Sequence, residues 1–219
     1  MHQSKILILG AILAFGLAYI FSNIPINSVI ASLEAQNSTE TLAYLPYTNQ
    51  ELGIASEYPS DWKVEEKTSR FDGDADVQVY SGLNSIKYVK DKTGAGDTGF
   101  FDLDSMATMA QNALTQDPNK SLVEAVDLDK YKIDNKDTAT FLIKTEESFG
   151  ESSFLSLDFA TQVFIVDVDN RFDTIMYQDT VTKFDTPESQ EKLNHMLNSF
   201  RFINSENNNE IDTSENEDE

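Results

Sequence analysis

The sequence predicts a mixed α and β domain with mostly antiparallel strands, carried behind one N-terminal membrane segment. Three observations predict it. An apolar run from Ile6 to Phe21 follows Lys5. From Tyr44 onward the apolar period switches between two and about 3.6. Turn-forming triplets, Asn135-Lys136-Asp137 and Asp169-Asn170-Arg171, separate strand-like runs of similar length.

The leader comes first. Ile6 to Phe21 rises roughly 24 Å as a helix, a little short of the ~30 Å hydrocarbon core, and Ile24 and Ile26 extend it. It has no polar face, so a buried core helix is a poor reading. Lys5 is the sole Lys or Arg before Lys63, which places the amino terminus inside and the remainder outside the cytoplasm. Val29-Ile30-Ala31 offers a small-residue cleavage site beyond Pro25. An intact single-pass anchor and a secreted, cleaved form both stay open. Residues 1–26 are thus membrane anchor or signal segment, 27–43 a linker, 44–204 one globular domain and 205–219 a tail. The tail carries seven acids and one large apolar residue, Ile211. It cannot bury enough surface to offset its chain entropy and is expected to be disordered.

Within the globular part, period-two alternation marks strands over Ile54 to Tyr58, Trp62 to Glu66, Val77 to Tyr80 and Ser85 to Val89. Further strands follow over Lys130 to Ile133, Thr138 to Thr145, Ser153 to Phe159, Val163 to Val168 and Thr174 to Gln178. Leu155, Leu157 and Phe159 share one face while Ser156 and Asp158 share the other, as in a half-buried strand. Val163-Phe164-Ile165-Val166 is apolar on both faces and is expected at the centre of the sheet, covered by helices. One helix runs from Ser105 with the stripe Met106, Met109, Ala110, Ala113 and Leu114, capped by Asp104 or Ser105 and ended by Asp117-Pro118. A second opens on Thr186 as cap and Pro187 as first residue, with Leu193, Met196, Leu197 and Phe200 as its stripe. The methionines are read as core.

Composition narrows the functions. There are 16 basic and 38 acidic residues, a formal charge of −22, which excludes the basic stripe that nucleic acid requires. There is no cysteine, so disulfides, thiolate metal sites, a cysteine nucleophile and a lipid-anchored lipoprotein are excluded. Beyond the leader the single histidine is His195. No Ser-His-Asp order, H-E-x-x-H or histidine cluster can be assembled from it. Carboxylate pairs of the glycosidase kind stay open, because spacing does not reveal their geometry. Gly94, Gly96 and Gly99 spell G-x-G-x-x-G, but the next helix starts several residues later, so its free donors cannot meet a phosphate. Asp72, Asp74 and Asp76 alternate like the start of a calcium loop, yet Val77 and Leu83 stand where an EF-hand needs glycine and glutamate. A looser calcium site from these acids, with Asp102 and Asp104, is the one cofactor reading the residues offer. Asn37-Ser38-Thr39 and Asn119-Lys120-Ser121 are glycosylation sequons, meaningful only in a host that modifies exported proteins.

Two stretches carry a family resemblance. Tyr47-Thr48-Asn49, Glu51-Leu52-Gly53-Ile54 and Tyr58-Pro59-Ser60-Asp61-Trp62 resemble the opening of PsbP-like domains. Leu193-Asn194-His195-Met196-Leu197-Asn198-Ser199-Phe200-Arg201-Phe202 resembles their closing helix and strand. The likeness spans roughly Tyr44 to Ile203, and its motifs are structural. It implies an α/β/α sandwich around a central antiparallel sheet. It also implies a binding or assembly role, not an enzymatic one, as in the exported prokaryotic and archaeal relatives, with a membrane or cell-surface protein as partner. The photosynthetic role does not transfer to a chain with a membrane segment and no basic docking surface. Trp62, the only tryptophan, is expected as a core plug after the extended Pro59 turn, with Phe200 and Phe202 closing the other end.

Overall fold

The computed structural model describes residues 42–67, 76–92, 101–149, 155–169 and 171–203. The apolar N-terminal run expected as a membrane segment, most of the expected linker, the acidic tail, Asn37, Asp72, Asp74, Asn170 and the three glycines of the G-x-G-x-x-G string lie outside the described residues. No helix among the described residues is long and apolar enough to cross a membrane.

The described chain runs β1 (Tyr44–Asn49), β2 (Ile54–Pro59), β3 (Lys63–Glu66), β4 (Val77–Ser81), β5 (Asn84–Val89), α1 (Leu103–Thr115), β6 (Lys120–Ile133) and β7 (Lys136–Phe149). It continues through β8 (Leu155–Val168), β9 (Arg171–Thr180), α2 (Val181–Phe184), α3 (Pro187–Ser199) and β10 (Arg201–Phe202). Three strands form a small sheet in the order β1-β2-β10, and seven form a large one in the order β3-β4-β5-β9-β8-β7-β6. Every pairing is antiparallel.

The two faces of the large sheet have separate cores. On one, Met106, Ala107, Ala110 and Leu114 of α1 meet Phe141, Ile143, Val163, Ile165 and Met176. On the other, Leu193, Met196 and Leu197 of α3 meet Phe164, Val166, Ile175, Trp62 and Phe200. The run Val163 to Val166 is therefore buried on both sides by alternation, and β8 sits between β7 and β9 as its apolar character requires. Phe202 packs beside Phe200, with ring centroids 5.2 Å apart.

Strand β1 and helix α2 are not among the elements read from the sequence, and four others differ from that reading. The runs expected over Ser153 to Phe159 and Val163 to Val168 fall, from Leu155 onward, in one strand, β8, of 14 residues, with Ser153 and Phe154 outside the described residues. The polar step at Thr161-Gln162 reads as a break, but both side chains are buried. Gln162 Nε2 donates to Thr140 Oγ1 at 2.5 Å, and that hydroxyl donates to the Val163 carbonyl at 2.9 Å, so the ladder continues through them. Strand β6 begins at Lys120, ahead of the expected Lys130, because register shifts and exposure on both faces erase the alternation. Helix α1 starts at Leu103, and its cap is Asp102, whose Oδ1 accepts from the Ser105 N–H at 2.8 Å. The β6–β7 turn is Asp134-Asn135, with φ of 52° and 61°, which leaves Lys136 and Asp137 in β7. Thr186 and Pro187 open α3 as the sequence indicates.

Gly53 joins β1 to β2 at φ +71°, and a Cβ there would stand 2.8 Å from the Ile203 carbonyl oxygen. The same glycine's carbonyl accepts from the Ile203 N–H at 2.8 Å, which ties the closing segment to the small sheet. Gly53→Ala is expected to destabilise the fold by about 1–3 kcal/mol, through left-handed strain added to a backbone clash. Urea unfolding measures it, and an unchanged midpoint would remove this account of the turn.

Candidate functional site

Of the sequence-predicted carboxylates, Asp72 and Asp74 lie outside the described residues, and Asp76, Asp102 and Asp104 form no metal-holding group among the described residues. Asp76 is buried just before β4. Its Oδ2 accepts from the Lys90 N–H at 2.8 Å, and its Oδ1 meets Lys92 Nζ at 2.6 Å. Both oxygens are thus engaged by the chain leaving β5. Asp102 is spent on capping α1, and Asp104 lies in that helix's first turn. No three His, Cys, Asp or Glu side chains converge to hold a metal ion among the described residues.

Next to Asp76 lies a buried ionic network that the sequence analysis missed. Asp173, fully buried on β9, receives Arg171 Nε on Oδ1 at 2.7 Å and a second guanidinium nitrogen on Oδ2 at 2.9 Å. It also accepts from Tyr88 OH at 2.7 Å and from the Asp91 N–H at 2.9 Å. Burial, and then the neighbouring Asp173, raises the Tyr88 phenol far above its ordinary value. The Asp173 hydrogen bond raises Arg171. The one local signal is the Arg-x-Asp step, which puts two opposite charges on one strand face.

A second buried carboxylate, Asp179, accepts from Ser189 Oγ at 2.7 Å, Asn84 Nδ2 at 3.0 Å and the Thr180 N–H at 2.7 Å. Burial raises its carboxyl above the usual range. These bonds join β9 and the β4–β5 hairpin to the first turn of α3. They orient no nucleophile, because the donor hydroxyl belongs to the helix it anchors.

His195 lies on the exposed side of α3, with Nε2 2.7 Å from Glu57 Oε2 on β2 and its ring stacked on Tyr44 at 3.5 Å between centroids. Ser199 is one turn away. Its hydroxyl donates to the Met196 carbonyl at 3.0 Å and accepts from the Glu57 N–H at 2.9 Å, so it does not serve the imidazole as a nucleophile would.

The surface feature that stands apart is the outer edge of β6. Among the described residues this strand pairs with β7 alone and ends the large sheet. Ser121 through Ala125 are five consecutive exposed residues. Among large apolar side chains, Leu122 is 42% exposed, Val123 56% and Leu128 43%. Monomeric proteins usually blunt such an edge with charge, brevity or cover. The opposite edge is blunted in that way, since β3 is four residues long and exposes Lys63, Glu65 and Glu66. On β6 the charges are largely used up nearby: Lys130 pairs with Glu124 at 2.9 Å, and Lys132 pairs with Asp137 at 3.1 Å. Asp127 and Asp129 have no basic side chain within ion-pair distance among the described residues. At Val126 the edge is closed, because Gln111 Oε1 of α1 accepts that N–H at 3.2 Å.

Buried ionisable groups on β5 and its neighbours shape the alkaline stability. Burial, aided by the like charge of Lys67, pushes Lys87 down to about 8. The fold then binds fewer protons than the unfolded chain from about pH 8 to the ordinary lysine value of ~10.5, so stability rises across that window. Burial also raises Tyr47, Tyr88 and Tyr177, the last to about 12. Their contribution is complete below the ordinary tyrosine value of ~10 and is lost above it. Stability is expected to rise from about pH 8 and to peak near about pH 10, as read from urea midpoints. In Lys87→Met the rise over that interval should vanish, and a rise of equal size in the variant would refute the assignment.

No family model and no curated protein matches this chain. In structure it is similar to the solution structure of cyanobacterial PsbP from Synechocystis, with a TM-score of 0.47 and 12% identity, covering 78% of this chain and 99% of that one. It is also similar to LpqN, described as involved in cell envelope biogenesis of Mycobacterium tuberculosis, with a TM-score of 0.45 and 10% identity over 84% and 99% of the two chains. A third likeness is to the Ran-binding protein Mog1p of Saccharomyces cerevisiae, with a TM-score of 0.42 and 12% identity over 75% and 98%. The first of these likenesses is to a protein of the family that the sequence resembles.

Proposed function

We propose that this chain is a membrane-tethered, extracytoplasmic PsbP-like module that binds a protein partner and performs no chemistry on it. The observation that carries the reading is the contrast between interior and edge. The buried carboxylates Asp76, Asp173 and Asp179 are each engaged by two or more donors of the fold itself. The β6 edge, in contrast, exposes Leu122, Val123 and Leu128 on a strand that has no outer neighbour among the described residues. Apolar side chains on an unpaired edge favour association with another chain. A tether would raise the local concentration of the module near membrane partners. Its orientation follows from Lys5 and the apolar run after it.

The test uses the full chain with a C-terminal tag. Protease added to intact cells should remove the domain, and gentle crosslinking in native membranes should repeatedly recover the same second protein. Recovery of the tagged chain from the cytosol, or of no second protein in repeated trials, would end the proposal. N-terminal sequencing of the mature chain separates an intact anchor from a secreted, cleaved form. The alternative reading, a calcium module built on Asp72, Asp74 and Asp76, would require Asp76 to give up Lys92 and the Lys90 N–H. Calorimetry at millimolar calcium decides it.

A further inference from the structure

We infer that Ser121 to Asp129 on the outer edge of β6 is the docking site, and that its occupant is an extended partner segment of apolar residues bearing Lys or Arg. This rests on the binding role proposed above and adds the place and the chemistry of the partner. Alternate N–H and C=O groups of an edge strand point away from its neighbour and accept a further strand. On β6 the regular ladder runs from Lys120 to Leu122, register shifts follow at Leu122/Glu124 and Glu124/Asp127, and the Val126 N–H is already taken by Gln111. The pairing with β7 is unshifted from Lys120 to Leu122, so an added strand meets regular backbone there first. Leu122 and Val123 then supply apolar contact within the paired stretch, and Leu128 extends it past the Gln111 closure.

Charge selects the occupant. Glu124 is held by Lys130, whereas Asp127 and Asp129 flank Leu128 with no basic side chain within ion-pair distance among the described residues, Lys130 reaching Asp127 only through the longer-range field. The whole chain carries −22. A second copy would bring that charge against itself, and the chain's own tail, Ser205 to Glu219, is acidic as well. A basic segment is drawn toward the site by the long-range field and held at Asp127 and Asp129 by short-range pairing.

The probes are synthetic heptapeptides alternating Val with Lys, Val with Ser and Val with Glu, titrated onto the full chain in detergent by fluorescence anisotropy. The Val/Lys peptide should bind at least tenfold more tightly than the Val/Ser peptide, and the Val/Glu peptide should not bind. The charge-neutral double variant Val123→Ser, Leu128→Ser should weaken the Val/Lys peptide at least tenfold while keeping the wild-type melting temperature. Unchanged affinity in that variant would reduce the binding to unspecific attraction and overturn the inference, as would no binding to wild type. Self-association of the wild type that the variant abolishes would make a second copy the occupant and equally overturn it. A photo-crosslinker at Val123, compared with one at exposed Glu188 on α3, separates the two levels in native membranes. Capture through Glu188 alone sinks the site and leaves the binding role standing; capture through neither sinks both.

Discussion

Asp173→Ala is expected to lower stability by about 3–5 kcal/mol, the range seen when one partner of a buried ion pair is removed. Asp173 is fully buried and accepts four hydrogen bonds, from Arg171 twice, from Tyr88 and from the Asp91 N–H. Alanine leaves the Tyr88 hydroxyl and that backbone N–H without their acceptor, and leaves a guanidinium that is 31% exposed facing a void. Water can reach Arg171 but not the interior donors, so most of the cost falls on Tyr88 and the segment after β5. Asp173→Asn keeps the shape and one acceptor oxygen but turns an amide toward donors, and should cost nearly as much. Arg171→Ala should cost a comparable amount, since it leaves the fully buried Asp173 carboxylate with the Tyr88 hydroxyl and the Asp91 N–H but no opposite charge. Urea midpoints for the three variants test this. A loss under about 1 kcal/mol for Asp173→Ala would mean that the network is not what fixes β5 to β9.

The reach of sequence reasoning here depended on how local each signal was. Thr186-Pro187 and the Leu193, Met196, Leu197 stripe are contained within one helix, and α3 starts and faces as they indicate. Val163 to Val166 shows its central place by being apolar on both faces. Strand β6 was legible only at its last residues, because alternation records burial on one face and an edge strand exposed on both has none to record. Its apolar residues therefore looked like loop. The Asp173 network was illegible for a different reason: Tyr88 and Asp91 lie more than 80 positions away in the chain, and no spacing rule reaches across a strand pairing of that separation. The cap of α1 shifted from Asp104 or Ser105 to Asp102 because three nearby polar residues could each cap, and only the backbone geometry at Leu103 decides among them.

Trp62→Ala is expected to cost about 3–5 kcal/mol, the range for truncating a buried tryptophan. The indole is 5% exposed, at the turn that takes the chain from the small sheet into the large one. The turn is fixed by the Trp62 N–H donating to the Pro59 carbonyl at 2.9 Å and the Ser60 N–H donating to the Ala43 carbonyl at 2.8 Å. It shares one core cluster with Ile54 of the small sheet, Val77 and Val79 of the large sheet, and Leu193, Met196 and Leu197 of α3. The small sheet, the large sheet and α3 thus share one core with Trp62. Burying an aromatic of ~200 Å² stabilises by an upper estimate of ~5 kcal/mol at ~25 cal/mol per Å². Collapse around the cavity is limited, because two walls are hydrogen-bonded sheets, so little of that loss is recovered. Trp62→Phe should recover more than half of the difference. Since Trp62 is the only tryptophan, its emission reports on this junction alone: it should be blue-shifted in the native chain and move to the red at the same urea concentration as the circular dichroism signal. Emission of a solvated indole in the native chain, or an alanine variant within about 1 kcal/mol of wild type, would show that the sheets are held together elsewhere.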